Sequence, residues 1–120
     1  MWEKRANPES LGVADGIISL IPSTDGPPRV TYNMGHVAAG TSGRNFLWLH
    51  PRRSPYCHID LRVGNERRAG LVERIGEVDL AMGTVRDDSI MWLKLTLKEL
   101  EANKDMLRQA IHEAEELSRS

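Results

Sequence analysis

The sequence predicts an α+β fold in the order α-β-β-β-β-α-β-β-α, a mainly antiparallel sheet with helices packed on one face. Three observations predict it. Apolar residues recur at helical spacing near the start and end of the chain, whereas from Arg29 to Val63 they recur every second residue. The turns between the alternating segments are too short for a parallel crossover, so they read as hairpins. Finally, 120 residues at 40% hydrophobic and 28% charged match one core, giving a single domain over 1–120.

The first helix starts at Asn7-Pro8-Glu9-Ser10, where Asn7 suits the cap and Pro8 the first helical position. Leu11, Ala14, Ile17, Ile18 and Ile21 share its apolar side, and Pro22 ends it. The stretch from Pro22 to Pro28 is a Pro/Gly-rich loop.

Four strands follow: Arg29 to Asn33, His36 to Gly40, Asn45 to His50 and Tyr56 to Val63. In the fourth, Cys57, Ile59, Leu61 and Val63 point one way, while Tyr56, His58, Asp60 and Arg62 point the other. A helix capped by Asn65 then buries Leu71, Val72 and Ile75. Two further strands, Leu80 to Val85 and Ser89 to Leu95, are joined through Arg86-Asp87-Asp88. The last helix opens on the capping box Thr96-Leu97-Lys98-Glu99. Leu100, Leu107, Ala110, Ile111, Ala114 and Leu117 form its stripe. As one rod it would be about 33 Å long and overhang the sheet. Its acidic end, with Glu113, Glu115 and Glu116, opposes the helix dipole and should fray or meet a basic partner.

Several segments carry a resemblance: Trp2, Tyr32-Asn33, His36-Val37-Ala38-Ala39-Gly40, Asn45-Phe46-Leu47-Trp48-Leu49, Pro51-Arg52-Arg53 and Leu93-Lys94-Leu95-Thr96. Together they resemble a group of small uncharacterised bacterial domains of unknown function, some appended to restriction-associated or other larger proteins. The resemblance implies the fold and no catalytic residue.

The sheet face turned away from the helices is the candidate site. Phe46, Trp48 and His50 share one side of the third strand, and Trp92 and Lys94 one side of the sixth. If these sets coincide with His58 and Arg62, one face carries aromatics interleaved with cations, with Arg44, Arg52 and Arg53 at the strand ends. Such a face, or a strand edge, suits a protein partner, a second copy or a larger host complex, with Trp48, Trp92 or Trp2 as anchors. The alternative is single-stranded nucleic acid, with bases on the rings and phosphates on the arginines.

Catalysis is the distant third reading. No serine lies in a nucleophile-elbow motif, and Cys57 is expected to face the core. Asp60 and the turn pair Asp87-Asp88 form no magnesium-binding set; no histidines are spaced i, i+4 on a helix, and His50 and His58, which could converge on adjacent strands with Asp60 on the same side, read as a surface pair, so neither metal nor cofactor is expected. A net charge of -1 supplies no overall field toward nucleic acid or lipid. The lone cysteine excludes an intramolecular disulfide; with neither a membrane-length apolar run nor a signal-like start, a cytoplasmic location is expected.

Overall fold

The computed structural model describes residues 7–21, 28–32, 36–40, 45–78, 80–84 and 90–119. Trp2, Arg44, Asp87-Asp88 and most of the Pro22 to Pro28 loop lie outside them. The elements run α1 (Pro8–Ser19), β1 (Arg29–Tyr32), β2 (Val37–Gly40), β3 (Asn45–Pro51), β4 (Tyr56–Arg62), α2 (Asn65–Gly76), β5 (Ala81–Thr84), β6 (Ile90–Thr96), α3 (Leu97–Ala102) and α4 (Lys104–Arg119). The class is the expected α+β, with one more helix than expected.

All neighbouring strands pair antiparallel, in the order β1-β2-β3-β4-β6-β5. The three consecutive hairpins place β1 to β4 side by side. α2 carries the chain over to β5, and β6 then inserts beside β4. Strand β4, flanked by β3 and β6, is therefore central, and its alternation sets the chemistry of both faces.

One face is covered. Cys57, Ile59 and Leu61 of β4, Leu47 and Leu49 of β3, and Met91, Leu93 and Leu95 of β6 are buried in one cluster with Val13 and Ile17 of α1. Leu71 and Ile75 of α2, Leu100 of α3, and Leu107, Ala110, Ile111 and Ala114 of α4 complete it. The gap left beneath α1 and α4, lined by Ile17, Leu47, Ile59, Leu61, Leu93, Leu107, Ala110 and Ile111, measures only ≈ 10 Å³. That volume suits close packing rather than a stored ligand.

Local chemistry explains most boundaries. Asn7 accepts from the amide of Glu9 at 2.8 Å and caps α1. Ser10, fully buried, accepts from the Arg52 amide at 2.8 Å, and the Asn7 amide donates to the Arg52 carbonyl at 2.7 Å, tying α1 to the end of β3. The Thr96–Glu99 capping box is formed as expected, with Glu99 Oε1 accepting from the Thr96 amide at 2.9 Å.

Four expectations need correction. The cap of α2 is Gly64, at φ 78, and Asn65 is already helical. A side chain at Gly64 would be strained at that φ and would meet Leu117 at 2.9 Å. Second, the last helix is not one rod. It breaks at Asn103 (φ -124, ψ 27), whose side-chain amide donates to the Glu99 carbonyl at 2.9 Å. Third, its acidic end does not overhang: Ala114 and Glu115 are fully buried. The basic partner is α2 of the same chain, where Arg74 meets Glu113 at 2.9 Å and Arg67 donates to the Glu113 carbonyl at 3.0 Å. Fourth, Phe46 does not stand beside Trp48 and His50. Ala39 pairs with Leu47 while Gly40 pairs with Asn45, so Phe46 is the extra residue of a bulge and is fully buried in the core cluster.

Candidate binding face

The opposite face of the sheet presents a different set of side chains, fixed by strand register. One row across the sheet reads Ala38, Trp48, Asp60, Trp92 and Gly83 on β2, β3, β4, β6 and β5. The next reads His50, His58, Lys94 and Ala81 on β3, β4, β6 and β5, with His36 beside His50 just before β2. Trp48, His50, Tyr56, His58, Asp60, Arg62 and Trp92 are half-buried, and Lys94 is exposed. The two tryptophans flank Asp60 from either side, two strand spacings apart, or roughly 10 Å.

At the centre, one carboxylate serves two imidazoles. Asp60 Oδ2 lies 3.0 Å from His50 Nε2, and Asp60 Oδ1 lies 3.1 Å from His58 Nε2. Burial works against the charge on Asp60, but the hydrogen bonds from His50 and His58 outweigh it and hold the carboxyl below its ordinary value. An ionised carboxylate only accepts, so each neutral imidazole donates its Nε2–H and keeps Nδ1 as its remaining acceptor. Burial also pushes His58 below its ordinary value, and the hydrogen bond and charge of Asp60 only partly offset this.

The rings are packed against their neighbours. His58 stacks on Trp92 with centroids 5.7 Å apart and planes 19° off parallel. It meets His50 edge-on at 5.3 Å, and His50 meets His36 at 5.6 Å. The Trp92 indole lies across β5 where Gly83 leaves room, since a Cβ there would sit 2.7 Å from the ring. The Arg62 guanidinium stands 5.2 Å over Trp48, and the Lys94 ammonium stands 5.4 Å from the Tyr56 ring and 5.8 Å from that of Trp92. These distances suit cation–π attraction. The Nε of Arg62 is buried with no hydrogen-bond partner among the described residues.

Of the residues singled out in the sequence, Trp48, Trp92, His50, His58, Arg62 and Lys94 thus share one face. Arg52 and Arg53 are exposed in the connection after β3, where the Arg52 backbone is tied to α1 and its charge acts on His58. Arg44 lies outside the described residues. The sequence reading missed His36 and Gly83. The alternation that pairs His36 with Ala38 on one side of β2 was the available signal for the first. Nothing in a single strand marks the second.

Other features offer less chemistry. Cys57 faces the covered side, where burial pushes its thiol up to about 12. It therefore carries almost no thiolate at neutral pH. Among the described residues, no group of three or more His, Cys, Asp or Glu is placed to hold a metal ion. A wide cleft of ≈ 490 Å³ between the end of α1 and α4 is lined by Ser19, Leu20, Ile21, Asp105, Arg108, Gln109 and His112. Two of its polar side chains are already engaged, Arg108 by Asp105 at 3.1 Å and His112 by Glu116 at 2.7 Å. No helix among the described residues is long and apolar enough to cross a membrane. Compared with known proteins, the chain matches no family model and no curated protein.

Proposed function

We propose that the chain is a non-catalytic binding domain that docks a protein partner on the open face of its sheet. The observation that carries this reading is the row Trp48–Asp60–Trp92, in which two indoles are pre-set on a rigid sheet around one ionised carboxylate. Tryptophan, tyrosine and arginine supply most of the energy of protein interfaces, and rings already held in place lose little entropy on docking.

The same packing weakens the nucleic-acid reading. Base stacking needs an open ring face, but Arg62 stands over Trp48, while Trp92 is stacked on His58 and lies against Gly83. A second copy on this face would join two surfaces that each carry Lys94 and Arg62 around one already engaged carboxylate, which favours a different partner over a homodimer.

Peptides selected from a displayed random library on the immobilised chain test the proposal. Binders should lose affinity at least tenfold to the Trp48→Ala and Lys94→Glu variants, with circular dichroism checking that both remain folded. Binders indifferent to both would overturn it. So would oligothymidine binding that is abolished by Lys94→Glu and falls steeply with salt, which would put nucleic acid in the partner's place. A dimer seen by sedimentation and broken by the same variant would put a second copy there.

A further inference from the structure

The row next to the tryptophans gives this reading a chemical direction. Building on the docking reading, we infer that the partner presents a carboxylate-bearing segment to the row His36–His50–His58–Lys94, and that docking takes up one proton at His58 beside Asp60. The inference rests on how charge is distributed over this part of the sheet. Lys94 flanks His58 on β6, Arg62 lies two residues beyond Asp60 on β4, and the charge of Arg52 acts on His58 from the end of β3. His36 stands beside His50 from the β2 side, Tyr56 beneath Lys94, and β5 adds only the uncharged Ala81 and Gly83. Among the described residues, Asp60 is the single carboxylate in these two rows, and both of its oxygens are already engaged by imidazoles.

Proton uptake follows from that sharing. A first proton on either imidazole forms an ion pair with Asp60. A second would place two imidazolium rings 5.3 Å apart against the same single negative charge. A partner carboxylate brought to this row supplies the missing negative charge and favours the protonated form. By linkage, protonation then favours the partner by the same factor. One proton taken up corresponds to at most about a tenfold gain in affinity per pH unit of acidification.

The test uses the full chain and the library-selected peptides. They should be rich in Asp and Glu, and their affinity should rise up to about tenfold per unit between about pH 7.5 and 5.5. That rise should flatten in Asp60→Asn and in His58→Gln. In the free chain, nuclear magnetic resonance titration should show His58 below its ordinary value and shifted by Asp60→Asn. Peptides without acidic residues, or a pH-flat affinity that Lys94→Glu still abolishes, would overturn the inference while leaving the docking surface standing. Peptides untouched by Lys94→Glu and Trp48→Ala would remove the docking surface and this inference with it. A His58 titration indifferent to Asp60→Asn would remove the proton coupling alone.

Discussion

Strand β4 belongs to two chemistries at once. Toward the helices it presents Cys57, Ile59 and Leu61, each at most 2% exposed; toward the other side it presents His58, Asp60 and Arg62, all half-buried and polar. Both faces share one backbone and one register, so the difference between them lies in what each set of contacts does. The covered face is aliphatic, non-directional and continuous from α1 to α4, as expected of the interactions that hold a fold together. The open face is directional: a carboxylate bonded at both oxygens, stacked rings, and cations over rings. Such contacts fix side-chain positions more than they drive folding. A sheet can leave this side to solvent with its carboxylate and imidazoles bonded to one another, although the buried Arg62 Nε has no such partner among the described residues.

The sharpest way to break that contrast is to truncate one residue on each side of β4. Ile59→Ala opens a cavity in the core and is expected to cost about 2–5 kcal/mol in denaturant unfolding. His58→Ala, next to it but facing outward, should cost far less and mainly disturb the near-ultraviolet signal of Trp92. Comparable losses at the two positions would mean that the open face is structural after all.

Gly83→Ala probes the same contrast from the edge of the sheet. A methyl 2.7 Å from the Trp92 indole must displace the ring or the strand. The expected loss is about 1–3 kcal/mol, accompanied by loss of the Trp92–His58 stack, read as a change in tryptophan fluorescence. An unchanged spectrum would mean that the indole does not lie on β5.

Acid should act on the open face before the core. His58 has a folded-state value below its ordinary 6.5, so the unfolded chain takes up its proton first. Its contribution to stability is fully present above 6.5 and is lost as the pH falls from there toward the folded value. Asp60, depressed below 3.8, contributes stability above that value, which is lost as the pH falls through its folded value. Unfolding free energy measured against pH should therefore begin to fall below 6.5, and His58→Gln should remove that first decline. A wild-type profile flat between neutrality and the carboxylate range would contradict the burial of His58.

The sequence made the contrast visible because alternation in β4 and β6 is strict: Ile59 and Leu93 alternate with His58, Asp60, Trp92 and Lys94, and antiparallel pairing keeps each set on its own side. Phe46 escaped because a bulge depends on two strands having unequal counts, which no single strand reveals. The break at Asn103 escaped because Leu100 and Leu107, seven residues apart, stay on one face and the apolar stripe runs through it. The pairing of Glu113 with Arg74 is a contact between distant helices, and local charge could only say that the helix end needed a cation. The sharing of Asp60 by two histidines needed the register of β3 on β4 as well as their spacing.

Lys94 gives the smallest stability effect and the cleanest separation of the two faces. It is exposed, its ammonium stands over Tyr56 and Trp92, and among the described residues it is in no ion pair that replacement would break. Cation–π attraction at an exposed site is worth only about 0.5–1 kcal/mol, and solvent takes up much of what is lost. Lys94→Glu should therefore change unfolding free energy by only about 0.5 kcal/mol. On the docking reading, the same reversal sets a negative charge against an acidic partner and costs at least tenfold in affinity. A variant that keeps its stability and loses its partner would assign this side of β6 to recognition. One that loses both together would return Lys94 to the fold.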